Sequence, residues 1–181
     1  MKAGFGAVAV SLALTATGLA QSRTVAQAQA MAEFNQRVGA YMAQAKQLES
    51  SLPPLKKSDD AGEISAREVA FGFAIRTARS AARPGDIFTP GAAKVFRRII
   101  KNDFHQRSAH RKKLVLDDIP HFRPKVNQTY PGEAPLATFP VTLLAALPVI
   151  PEGLEYRLLS DYLILRDVKA NIIVDFVVDV F

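Results

Sequence analysis

Seven prolines crowd the stretch from Ile119 to Pro151, at positions 120, 124, 131, 135, 140, 148 and 151. Proline carries no backbone N–H and disfavours helix in the residue before it, so no long helix can cross this interval. The interval divides the chain. Before residue 114 the apolar residues recur with helical spacing, and after residue 153 they cluster as in strands. This pattern predicts an α+β fold: a helical half over 21–113, a proline-rich connection over 114–153 and a three-stranded antiparallel β-meander over 154–181. The helices are the available cover for the sheet.

In the helical half, Met31, Phe34, Val38, Tyr41, Ala45, Leu48 and Leu52 alternate in steps of three and four, which predicts one buried seam on a long helix. Glu33, Gln36, Arg37, Gln44 and Lys46 lie off that seam, and Pro53-Pro54 stops the helix. After the polar loop LKKSDD, Asp60 and Glu63 form a capping-box pattern for a second helix. Its stripe is Ile64, Phe71, Ile75, Ala78 and Ala82, and Val69 and Phe73 on the far side predict a position between two layers. The short loop makes the pair an antiparallel helical hairpin. Thr89-Pro90 opens a third helix, with threonine at the N-cap and proline at the first helical position. Val95, Phe96, Ile99 and Ile100 face inward, and Lys94, Arg97, Arg98 and Lys101 share an arc of about 100° opposite them. The basic character continues to Arg111, Lys112 and Lys113, and the sequence leaves open whether the helix ends before them or runs on toward them.

Lys125 to Tyr130 reads as a short strand closed by a Pro131-Gly132 turn, and Pro140 to Leu147 as two helical turns begun by proline. The segments Leu154–Leu159, Tyr162–Arg166 and Asn171–Val178 are rich in β-branched and aromatic residues. Ser160-Asp161 fits a two-residue hairpin turn, and Val168-Lys169-Ala170 a second connection. Strict alternation puts Ile172, Val174 and Phe176 on one face of the last strand, and Ile173, Asp175 and Val177 on the other.

The N-terminus carries an address. Lys2 precedes an uncharged run from Gly4 to Ala20, with small residues at Gly18 and Ala20. This is the layout of a secretory signal peptide over 1–20, cleaved before Gln21. As a retained anchor the run falls short of the ~20 apolar residues of a spanning helix and is diluted by Ser11, Thr15 and Thr17. No second such run follows, so the mature chain is expected to have no transmembrane span and to reside in the periplasm or outside the cell. With no cysteine, disulfides and thiolate chemistry are excluded, and packing alone must hold the exported fold.

Charge is segregated along the chain. Residues 21–66 are neutral, residues 67–113 carry +9 from twelve basic and three acidic side chains, and residues 114–181 carry −4. Either the middle segment presents a surface to anions, with Arg97, Arg98, Lys101, Arg111, Lys112 and Lys113 as its candidates, or it packs against the acidic half and is neutralised there. No stacking aromatics are interleaved with these cations, which argues against nucleic acid. Anionic lipid, envelope polysaccharide or an acidic protein are the partners that fit.

The strings GDIFTP (Gly85 to Pro90), APLATFP (Ala134 to Pro140) and LEYRLLSDYLILRDVKANIIVDF (Leu154 to Phe176) resemble a family of exported bacterial proteins to which no activity is attached. The resemblance covers most of the chain after residue 20 and includes Leu52 to Leu55. It implies a bacterial source and an envelope or secreted setting, and it carries over no catalytic residue.

The sequence holds no G-x-S-x-G elbow, dinucleotide fingerprint or P-loop, so no catalytic residue, cofactor or metal is assigned. His105 and His110, five apart, would stand about 140° from each other on a helix, and His121 lies in the proline-rich connection. These histidines read as surface residues among arginines. Asp175 interrupts an apolar strand and must find a partner or shift its pKa upward, with Arg157 and Arg166 as candidate partners on neighbouring strands. The enzymatic alternative is a small envelope hydrolase that joins Asp175, Asp167 and a histidine. The favoured expectation is a non-catalytic binding protein.

Overall fold

The steps of three and four from Met31 to Leu52 become one buried edge of a long helix, α1 (Ala13–Ser51). Phe34, Val38, Tyr41 and Ala45 are buried, and Met31, Leu48 and Leu52 pack against them. The computed structural model describes residues 13–53, 61–131 and 139–181, the side chains of 13–22 and 61 aside. The proposed cap Asp60 and the turn residue Gly132 lie outside the described residues. Four more helices follow: α2 (Ala61–Ala78), α3 (Pro90–Gln106), α4 (Ala109–Asp118) and α5 (Val141–Ala146). The chain ends in β1 (Leu154–Leu159), β2 (Tyr162–Asp167) and β3 (Ile172–Val177), an antiparallel sheet in the order β1-β2-β3. The architecture is α+β, as the shift in hydrophobic period predicts.

Three aromatic rings knit α1 to α3. Phe34, Phe88 and Phe96 stand with centroids 4.9–5.3 Å apart, and Phe96 reaches Tyr156 on β1 at 5.8 Å. Thr89 caps α3 by accepting from the Ala92 N–H at 3.5 Å, with Pro90 at the first helical position. That helix does not run on to Lys113. It ends at Gln106, and Ser108 caps the separate helix α4 by accepting from the Arg111 N–H at 3.3 Å. A serine hydroxyl satisfies one of the free N–H groups of a first helical turn, which favours a new helix start at this point.

Helix α2 buries Phe71 and Ile75 but does not lie between two layers: Val69 and Phe73 are 61% and 66% exposed, and Ile64 and Ala78 are exposed as well. The stripe is thus narrower than its spacing suggests. Gly72 explains the close fit on the buried side, since a Cβ there would lie 2.7 Å from the Ala170 carbonyl oxygen.

The sheet separates two apolar clusters. On the helical side lie Tyr156, Leu158, Leu163, Leu165, Ile172, Val174 and Val177; on the other, Leu159, Ile164 and Ile173 pack with Tyr130, Phe122 and Phe176. Strict alternation fails in β3. Leu165 pairs with Asp175 while its neighbour Arg166 pairs with Ile173, so Val174 is an extra residue in a β-bulge. The bulge inverts the phase: Asp175 and Val177 share the face of Ile172 and Val174, and Phe176 joins Ile173 opposite. Arg79 takes the carbonyl oxygen of Val174 at 3.1 Å and Asn127 Oδ1 at 3.0 Å, which fixes the bulge from α2's end.

The segment from Lys125 to Tyr130 is not a strand. It turns at Asn127, whose φ is 64°, and makes a single bridge between Thr129 and Ile172. Three backbone bonds of 2.8–2.9 Å nonetheless lay it along the free edge of β3: Asn127 to Ile173, Ile173 to Gln128, and Tyr130 to Asn171.

Candidate functional site

The six candidate cations, together with Lys94 from the same arc of α3, fall into two groups and one exception. Lys94, Arg98 and Lys101 follow one another at helical spacings of four and three on the exposed face of α3. Arg97 is the exception. It is half-buried and donates through Nε to the Val178 carbonyl oxygen at 2.7 Å, so it holds the C-terminal segment to α3. Arg111, Lys112 and Lys113 sit beyond the break at Ser108, on α4, where Lys113 pairs with Asp117 at 2.7 Å.

A cleft joins the α3 group to α1. Ala26, Ala30, Gly91 and Val95 form its walls, and Gln27, Arg23, Lys94 and Arg98 supply its polar groups, around a volume of about 350 Å³. Gly91 sets its depth, because a Cβ there would stand 3.2 Å from the Ala30 Cβ, so α1 and α3 approach closely. No carboxylate among the described residues lines the cleft. Among the described residues, no carboxylate is within ion-pair distance of Arg23, Lys94 or Arg98. Two guanidinium groups and an ammonium held this way can bind a phosphate, sulfate or carboxylate, the arginines in bidentate fashion. Arg23 was not legible as a partner of Arg98 because the two lie on different helices; only the approach at Gly91 brings them to one cleft.

Packing of the basic helices against the acidic half predicts ion pairs from α3 or α4 to carboxylates of the sheet, and none occurs among the described residues, the Lys113–Asp117 pair lying within α4 itself. Glu155, Asp167 and Asp175 have other partners. Glu155 takes Arg157 and Arg166, both at 2.7 Å, on the sheet face away from the helices. Burial alone would raise its pKa, and the two arginines reverse this and hold it below the usual carboxylate range.

Asp175 does not pair with Arg157 or Arg166. The bulge turns it to the helical side, fully buried, where four backbone N–H groups converge on it. Gly85 and Phe176 donate to Oδ1 at 3.0 and 2.8 Å, and Ile87 and Phe88 to Oδ2 at 2.8 Å each. Burial raises its pKa, and the four N–H groups oppose the rise. Gly85 is required here, with φ at 90°. Asp167 is buried too, accepting from Tyr41 Oη at 2.7 Å and the Ala170 N–H at 2.9 Å. His105, His110 and His121 are all exposed. The structure therefore does not bring a histidine together with Asp175 and Asp167. Among the described residues, no three His, Asp or Glu side chains converge as metal ligands, and no helix is long and apolar enough to cross a membrane.

Comparison of the chain with protein-family models, with curated proteins and with solved structures finds no match in any of the three.

Proposed function

We propose that this chain is an exported bacterial protein that binds an anionic component of the cell envelope, without catalysis, through the cleft between α1 and α3. The observation that carries this reading is the set of three cations, Arg23, Lys94 and Arg98, around one cleft whose walls hold no carboxylate among the described residues. Lys101 extends the positive face along α3. The address comes from residues 1–20, cleaved before Gln21. Since the bond from Ala20 to Gln21 lies inside α1, cleavage precedes folding, because proteolysis favours open chain over helix.

Co-sedimentation with vesicles tests the reading. Binding to phosphatidylglycerol vesicles, weak or absent on phosphatidylcholine, should fade with salt, since exposed charges are screened over about 8 Å at physiological ionic strength. The double variant Lys94→Gln with Arg98→Gln should bind more weakly and keep its circular dichroism, because both side chains are exposed. Binding that is indifferent to lipid charge, or unaltered in the double variant, would falsify it.

A further inference from the structure

A second groove opens at the other end of α1, where it meets α2 and the turn after β2. It consists of two cavities of about 370 and 340 Å³ that share Glu49, Phe71 and Lys169. Lys169 Nζ donates to both oxygens of Glu49, at 3.0 and 3.1 Å, at the boundary they share. The larger cavity has Met42, Ala45 and Phe71 for walls, and Gly153 gives it room opposite Met42.

Its charges do not balance. Glu49, Glu152 and Asp167 line it against Lys46 and Lys169, and the Lys169 ammonium is engaged by Glu49. Asp167 is buried yet bonded only by neutral donors, the Tyr41 hydroxyl and the Ala170 N–H. Among the described residues, no cation lies within ion-pair distance of it. A buried carboxylate favours a cationic neighbour, and an aromatic ring and a thioether are the apolar groups that best tolerate one.

We propose that this groove binds a small organic ammonium ion, whose charge meets Glu49, Glu152 and Asp167 and whose carbon groups lie against Phe71 and Met42. Lys169 is then the resident competitor: its own ammonium occupies Glu49 and is displaced when the ligand enters. The site is separate from the cleft between α1 and α3 and does not depend on it.

The test is a nuclear magnetic resonance titration of the full-length chain with choline, with its uncharged carbon isostere, and with butylammonium. Choline or butylammonium should move the amides of Phe71, Gly153 and Lys169 saturably, and the isostere should not. Glu49→Gln should weaken binding by about threefold to tenfold, whereas Lys169→Gln should tighten it by a similar factor. The opposite signs separate ligand binding from a structural role, since both variants lose the same exposed ion pair and little stability. An equal response to the isostere, weakening in both variants, or no saturable shift from either ammonium in the millimolar range overturns the proposal.

Discussion

Tyr41 on α1 donates its hydroxyl hydrogen to Asp167 at the end of β2 across 2.7 Å, joining residues 126 positions apart in sequence. The same ring lies 5.1 Å from the Arg79 guanidinium, so Tyr41 stands between a buried anion and a half-buried cation. Tyr41→Phe keeps the ring and leaves Asp167 with the Ala170 N–H alone. Loss of a bond to a buried charged acceptor costs on the order of 1–3 kcal/mol, so the urea midpoint should fall with little change in slope. An unchanged midpoint would mean that water replaces the hydroxyl without loss.

Alkali should unfold this protein through its tyrosines. Burial raises the pKa of Tyr41, to which Asp167 adds, and burial raises Tyr156 and Tyr130 as well. In the unfolded chain each ionises near its ordinary value of about 10. The folded state holds the proton longer, so the stability these groups contribute is present below about pH 10 and is lost as pH rises through that value. Absorbance of tyrosinate and far-ultraviolet circular dichroism should change together for these three residues. Their full ionisation while the helical signal persists would contradict their burial.

Asp175 organises the loop from Gly85 to Phe88 with four N–H bonds. Asp175→Ala orphans all four donors, and each unsatisfied buried group costs about 1–3 kcal/mol, though not additively. Asp175→Asn retains one acceptor oxygen and should be the milder change. Amide exchange at Gly85, Ile87 and Phe88 reads the effect directly: protection should drop most in the alanine variant. The raised pKa has a definite sign. Its contribution to stability grows as pH falls through the folded-state value, so acid unfolding should originate elsewhere, for instance at Glu155, whose pKa is lowered and whose contribution is lost as pH falls through its folded-state value.

What sequence could reveal follows from which interactions have a periodic or local signature. The α1 seam and the three strands are legible because burial repeats along one element, and Thr89-Pro90 because a cap is local. The inverted phase of β3 is not, since a bulge at Val174 exists only relative to β2. The partners of Asp175 are not legible for a related reason: they are backbone amides, which have no residue identity, whereas arginines on adjacent strands do. Val69 and Phe73 misled because apolar side chains do not say whether a second layer is there to receive them. In the candidate cleft, Lys94 and Arg98 could be grouped from helical spacing, but Arg23 could not.

The irregular run from Asn127 to Tyr130 has a consequence for colloidal behaviour. β3 is the sequence IIVDFV, apolar and β-prone, and its outer edge would otherwise invite a strand from another molecule. Asn127, Gln128 and Tyr130 occupy that edge with three backbone bonds, and the left-handed Asn127 at one end and Pro131 at the other stop the covering segment from becoming a new ladder. The prolines that forbid a long helix here thus leave a short, self-terminating guard against aggregation. Opposite it, β1 pairs with no further strand among the described residues, and there the ion-paired Glu155 and Arg157 make a flat apolar stack with another chain unfavourable.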